Sequence, residues 1–204
     1  MGYIGIVDFA SNNSKSVLNV IQSLGFEAKL VTSGDEISRA DRLIIPGVGH
    51  IDSIVSEMDA LGLRTPIKAF ASRGNHILGI CLGQHLLGLS SEESVNTKTL
   101  GVLNFSVNRM PVSLDAGLRV PHVGWNSIMI KVMHPLFRSI PNGSDFYFSH
   151  SYAITTPSSA SMAMTQHSVQ FCSVAGADNV LSVQFHPEKS QKMGAQLLDN
   201  FCSL

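Results

Sequence analysis

The chain has 204 residues, 44% of them hydrophobic and 14% charged, with a formal net charge of −1. That is enough chain for one domain with a full core, and the composition is that of a globular protein, not a disordered one. The near-zero charge leaves no basic field for nucleic acid or an anionic membrane surface. No run is apolar enough to span a bilayer, and the first residues lack the pattern of a secretory signal.

Residues 3–7 form a short, continuously apolar run ending at Asp8, the pattern of a buried parallel strand. Asn12, Asn13 and Ser14 offer N-caps for a helix. Its Val17, Leu18, Val20, Ile21 and Leu24 recur at helical spacing, and Gly25 closes it. Strands are expected at 28–31 and 42–45, then helices at 51–63 and 67–73, the second stopped by Gly74. Strands alternating with helices imply an α/β fold with a mostly parallel sheet. Ligands in such folds collect at the carboxyl ends of the strands. Pro46-Gly47-Val48-Gly49 lies at one such end. Two glycines bare the backbone on both sides of Val48, so N–H groups there can approach a substrate. The segment carries no phosphate-binding fingerprint.

The most informative stretch runs from His76 to Leu87. An apolar strand ends abruptly in Gly79-Ile80-Cys81-Leu82-Gly83, and a helix-like run follows. This is the strand–nucleophile–helix layout of the α/β-hydrolase elbow, with Cys for Ser. The turn at Cys81 must be tight, and Gly79 and Gly83 supply flanks without side chains. The first N–H groups of the following helix favour an anion beside them, whether a thiolate or an oxyanion. Residues 90–94 then read as a polar loop whose Glu92 and Glu93 are solvated.

From Leu100 the pattern changes. Val102, Phe105, Val107, Ile128, Ile130, Phe146 and Phe148 fall in short strand-like pieces separated by Pro, Gly and Asn, which implies a smaller antiparallel layer in the C-terminal half. No linker or repeat divides the chain, so one domain is expected over 1–204. Residues 120–126 hold the only Trp, flanked by Gly124 and Asn126, as either a contact surface or a core filler. Residues 147–152 alternate aromatic and small polar side chains, as a strand lining a cleft or simply half-buried.

Near the C-terminus an apolar strand delivers His186-Pro187-Glu188. Pro187 pushes His186 into extended geometry. In an extended chain Glu188 falls on the same side as His186, where a carboxylate can hold one imidazole nitrogen and leave the other as a base. A strand bearing Cys81 and another bearing His186 together point to nucleophilic catalysis. A helix over 190–201 packs the end of the chain. Three cysteines, Cys81, Cys172 and Cys202, are a sparse, odd set that fits a reducing cytoplasm and not a disulfide framework. No Cys/His spacing resembles a zinc site; His122, His134 and His150 read as non-ligands. No cofactor is called for.

These motifs resemble the class I (triad-type) glutamine amidotransferases along nearly the whole chain, from Asp8-Phe9 and the segment 13–17 through to Asn200-Phe201. Gly79 to Gly83 and Gln184 to Glu188 match the general signatures. Pro46 to Gly49, Pro121 to Asn126 and His150-Ser151-Tyr152 match the histidine-pathway branch. The resemblance implies that Cys81 attacks the side-chain amide of L-glutamine, with His186 as acid and base and Glu188 orienting it. It implies an oxyanion site near Gly47, Val48 and Leu82, and contacts to the amino-acid end from Gly49, His85, Ser151 and Tyr152. It also implies a partner, a (β/α)8-barrel cyclase subunit in a heterodimer, which uses the ammonia to make imidazole glycerol phosphate. Pro121, His122, Gly124, Trp125, Asn126 and Lys189 would dock it.

The chain departs from the family at three points. Where the family reads Cys-Leu-Gly-Met-Gln, with the Gln helping to bind glutamine, this chain has Cys81-Leu82-Gly83-Gln84-His85. A Gly-rich segment is replaced by Ala10-Ser11-Asn12, and a Gly by Ser94. Two other readings therefore stay open: a paralogue feeding ammonia to a sugar-modifying ligase, and a catalytically weak subunit that only stabilises its partner.

Overall fold

The structure, a computed structural model, describes residues 2–9, 13–94, 96–112 and 119–204. Strands β1 (Ile4–Val7), β2 (Ala28–Val31), β3 (Arg42–Gly47) and β4 (His76–Cys81) pair in parallel. With them come helices α1 (Ser14–Ser23), α2 (Gly34–Arg39), α3 (Ile51–Ala60), α4 (Arg64–Ser72) and α5 (Leu82–Leu87). Then follow β5 (Ser90–Ser91), β6 (Ser106–Arg109), β7 (His122–Ser127), β8 (Met129–Ile130), β9 (Asp145–His150), β10 (Tyr152–Ala153), β11 (Ser161–Gln166), β12 (Gln170–Ala177), β13 (Val180–Val183) and α6 (Gln191–Cys202).

The main sheet runs β2-β1-β3-β4-β13-β12-β11-β8. It is parallel from β2 to β13 and antiparallel beyond. Side-chain alternation explains its two cores. Ile44, Leu78, Ile80 and Val183 face Val17, Ile21, Leu197 and Phe201. Leu43, Ile45 and Ile77 face Ile54, Met58, Ile67, Phe70 and Leu86. Helices thus cover both faces of an α/β sheet, and each such side chain contributes roughly 1.5–3 kcal/mol by leaving water. No helix among the described residues is long and apolar enough to cross a membrane.

The expected antiparallel layer is divided. Part of it extends the main sheet as β12, β11 and β8, and part forms the ribbon β7–β9; a further small sheet is mixed, with β10 antiparallel and β5 parallel to β6. Helix α2 has no counterpart in the hydrophobic pattern; a capping box starts it, in which Ser33 and Glu36 satisfy each other's backbone N–H groups. Strand β3 runs through Pro46 to Gly47, two residues past its expected end. The β1 ladder registers only Arg42 to Ile44, so the proline falls beyond it. Asn12 lies outside the described residues, as do the departures Ala10 and Ser11. Asn13 stands at the N-cap of α1 but makes no side-chain cap there.

Candidate active site

Backbone sterics build the elbow. Cys81 has φ 55° and ψ −109°, a left-handed setting that costs a non-glycine residue about 1–3 kcal/mol. The surroundings enforce it. A Cβ on Gly79 would lie 2.6 Å from the Gly83 carbonyl oxygen, and one on Gly83 would land on the Ile45 carbonyl oxygen. Helix α5 therefore packs backbone to backbone against β3 and β4. It has only six residues, so the setting of the sulfur rests on local N–H groups and side chains and not on a long helix dipole.

β13 pairs with β4 in parallel, Val183 opposite Ile80, and so delivers His186 beside Cys81. The chain after His186 is not extended as expected: Pro187–Lys189 is a single 3-10 turn. Its tight rise still carries the Glu188 carboxylate to His186, with Nδ1 to Oε1 at 2.8 Å. The backbone of His186 is clamped. Its N–H donates to Tyr147 O at 2.9 Å, and Ser190 Oγ donates to its carbonyl at 2.6 Å. Glu188 Oε1 also accepts from Asn13 Nδ2 at 2.7 Å. The side chains of His186 and Glu188 are 3% and 1% exposed.

Burial alone would lower the pKa of His186. The negative charge of Cys81, within hydrogen-bonding range, and then Glu188 outweigh it and push the imidazole up to about 10. The imidazole thus lies between the Cys81 sulfur and the Glu188 carboxyl group. Cys81 Sγ also lies 3.9 Å from Gln184 Nε2 and 4.0 Å from Ser149 O.

A cavity of about 290 Å³ opens over the sulfur. Its lining includes Val48, Gly49, Leu82 and His85 from the parallel half, and Pro121, Ser151, Tyr152, His186 and Lys189 from the rest of the chain. Gly47 lies under this lining, paired with Cys81 across β3 and β4. A Cβ there would meet Leu82 and Gly83 at 2.8 and 2.9 Å. Val48 and Gly49, the latter at φ 94°, carry the chain over the sulfur.

Of the two carboxylates expected to be solvated, Glu92 is exposed and Glu93 is not. Glu92 accepts from the Arg109 N–H at 2.8 Å. Glu93 lines the cavity and accepts from the Ile51 N–H at 3.1 Å, and burial raises its pKa. His85 is buried, and its Nε2 pairs with Gln184 Oε1 at 2.9 Å. Desolvation lowers it to about 4, so it is neutral. The ribbon behind the cavity holds a histidine pair, His122 Nδ1 to His150 Nε2 at 3.0 Å, with His150 Nδ1 at 2.9 Å from Tyr152 O.

The expected docking residues divide. Trp125 is 49% exposed and Val123 58%, and Lys189 Nζ lies 6.0 Å from the Tyr147 ring, against which Trp125 packs edge-on. Pro121 is exposed and Gly124 and Asn126 are half-buried. His122 is not on that face. It is 4% exposed and stacked between Phe148 and His167, because odd and even residues of β7 face opposite ways. Among the described residues no cluster of His, Cys, Asp or Glu could hold a metal ion.

Sequence reasoning missed Asn13, Glu93 and Gln184. Asn13 meets Glu188 across 175 positions, and nothing local to either residue announces the pairing.

The family model described as glutamine amidotransferase class-I matches residues 5–203, and the chain belongs to that family. Two full-length relatives carry one name. "Imidazole glycerol phosphate synthase subunit HisH" of Dehalococcoides mccartyi is 40% identical over 97% of this chain and 95% of its own. The protein of the same name from Buchnera aphidicola is 38% identical over 99% and 100%. A solved structure described as "Crystal structure of glutamine amidotransferase" shares the fold at a TM-score of 0.77 and 19% identity, over 99% of this chain and 98% of that one.

Proposed function

We propose that this chain is the glutaminase subunit of a cytoplasmic imidazole glycerol phosphate synthase in histidine biosynthesis. It is one domain, residues 1–204, that hydrolyses L-glutamine and passes the ammonia to a (β/α)8-barrel cyclase subunit in a heterodimer. The observation that carries the reading is the imidazole of His186, held at 2.8 Å by Glu188, beside a cysteine strained onto an elbow at the floor of a cavity. The names of the full-length relatives support the pathway and the existence of a partner subunit.

Cys81 is the nucleophile. Its thiolate attacks the side-chain amide carbon, a C–S bond forms, and the carbonyl pair moves to oxygen. N–H groups at Leu82 and along Gly47-Val48 are the donors for that oxyanion. On collapse the C–N bond breaks, and the His186 imidazolium gives its proton to the leaving nitrogen, which departs as ammonia. Water then attacks the thioester, passing its proton to His186. The sulfur leaves as thiolate and glutamate is released. Glu188 and Asn13 keep the imidazole oriented and charged.

Gly49, Ser151, Tyr152, His85 and Glu93 hold the amino-acid end, with Glu93 the counter-charge for the α-ammonium. Ammonia in bulk water takes up a proton and stops being a nucleophile, so it needs a dry route to its acceptor. Pro121, Trp125 and Lys189 form the docking face, while Gly124 and Asn126 lie on the His122 side of β7, where Asn126 Nδ2 is 3.3 Å from His122 Nε2. Pro121 and Lys189 also line the cavity, so the partner sits over its mouth.

The experiment is Cys81→Ala in the complex with the cyclase subunit. Glutamine-dependent synthesis is lost, while synthesis from added ammonia is retained. Survival of both rates would end the enzymatic reading.

A further inference from the structure

Cys81 has a second neighbour whose chemistry reaches further than the triad. Gln184 is fully buried, and its amide touches two residues of the cavity at once. The Nε2 end lies 3.9 Å from Cys81 Sγ, and the Oε1 end 2.9 Å from His85 Nε2. An amide donates only from its nitrogen and accepts only at its oxygen. A sulfur anion accepts and cannot donate, so it turns the NH₂ end toward itself. The carbonyl then faces His85, and only a proton on Nε2 satisfies it.

His85 is neutral, so a proton on Nε2 leaves Nδ1 bare. Nδ1 is buried and makes no hydrogen bond among the described residues. A buried acceptor with no partner is rare enough to need a reason. His85 lines the same cavity as the Glu93 carboxylate. An imidazole acceptor and a carboxylate on two residues that line one cavity suit the positive end of a substrate.

We propose that Gln184 is a positioning residue that ties the tautomer of His85 to the charge on Cys81. With a thiolate at 81, His85 is held as its Nε2–H form, and Nδ1 accepts an N–H from the α-ammonium of the substrate. With a neutral thiol the amide has no reason to keep that orientation. The alternative tautomer then points an N–H at the ammonium and repels it. Coupling of this kind is reciprocal, so a bound ammonium also favours the thiolate. The nature of the ligand rests on the glutaminase reading; the tautomer does not. The other titratable groups facing this cavity are His150, Glu93, His186 and Lys189.

Two experiments test it. The first is the ¹⁵N spectrum of the His85 imidazole in the wild-type protein near neutral pH. The expected result is protonation at Nε2, with a mixture of tautomers in Gln184→Leu; protonation at Nδ1 in the wild type overturns the proposal. The second is steady-state glutaminase kinetics in the complex with the cyclase subunit. Gln184→Leu raises KM for glutamine about tenfold or more with a smaller change in kcat. The penalty disappears with the analogue of glutamine that lacks the α-amino group. Gln184→Glu keeps an acceptor for His85 but removes the donor to sulfur. It therefore leaves KM near wild type and moves the kcat/KM profile toward higher pH. An equal penalty on glutamine and the desamino analogue overturns the proposal. Should Gln184→Leu fail to fold, the wild-type spectrum and Gln184→Glu still decide. If the wild type hydrolyses no glutamine, the functional reading fails while the tautomer result stands on its own.

Discussion

The cavity is framed by two halves of the molecule held in place by different physics. On one side, the ends of β3, β4 and α5 are fixed by backbone contact. Gly47, Gly79 and Gly83 let chain meet chain where a methyl group would not fit. On the other side, the β7–β9 ribbon is fixed by side chains. His122 donates to His150 and His150 donates to the Tyr152 carbonyl, while aromatic rings stack around them. Steric demands of the first kind leave a trace in sequence, because only glycine meets them. Hydrogen bonds of the second kind leave little, because any of several polar residues could be at either end.

Turning Glu188 into Gln strikes where the two halves meet. It keeps the shape but removes the charge that orients and holds the imidazolium, and it leaves Asn13 Nδ2 facing an amide. Glutaminase kcat falls by about 10³–10⁴, as when the acid of a comparable triad is neutralised, with little change in the melting temperature. A loss under tenfold would mean that Glu188 is only a structural partner.

Gly83→Ala tests the backbone-built half alone. The new Cβ meets the Ile45 carbonyl oxygen, which belongs to a central strand and cannot move aside. We expect a destabilisation of about 3 kcal/mol or more in chemical denaturation. Gly25→Ala is the control. Gly25 also has a positive φ, of 90°, but nothing lies within 4 Å of the added atom, and the cost is about 1–2 kcal/mol. Equal costs would show that φ and not close approach is what the elbow glycines supply.

The side-chain-built half is tested by pH. Burial pushes the pKa of His85 down to about 4, that of His122 to about 4, with His167 adding to the effect, and that of His150 well down. A lowered pKa on a base means that the folded state prefers the neutral form. Its stabilisation is complete above the unfolded value near 6.5 and is lost as pH falls through the folded value. His85 alone contributes on the order of 3 kcal/mol to this acid limb. His186 runs the other way. Its pKa is raised to about 10, so its contribution is complete below about 6.5 and fades as pH climbs to 10. Stability should therefore peak near neutrality. His122→Phe keeps the stacking but removes the bond to His150, and it should cost about 1–2 kcal/mol at neutral pH and make the acid limb shallower. An unchanged acid limb would place its origin elsewhere.

The same contrast explains what could be read in advance. The elbow, the His186–Glu188 pair and the mostly parallel character of the sheet were legible because each follows from local rules: glycine sterics, proline geometry and hydrophobic period. Even there a detail differed, since Glu188 reaches His186 through a 3-10 turn and not along extended chain. Asn13 was read as a helix cap and serves Glu188 instead. Glu93 was read as solvated and is half-buried in the cavity wall. His122 was read as a docking residue and lies beneath the ribbon. Each of these depends on which distant segments converge, and no local pattern encodes that.

The most direct test of the central claim is to quench the complex during turnover of L-glutamine and measure the mass of the peptide carrying Cys81. The account predicts a γ-glutamyl adduct on that cysteine, accumulating when His186 is changed so that hydrolysis of the thioester is slowed. Glutamine hydrolysis at the wild-type rate with Cys81 replaced by Ala, and no adduct on any residue, would contradict it.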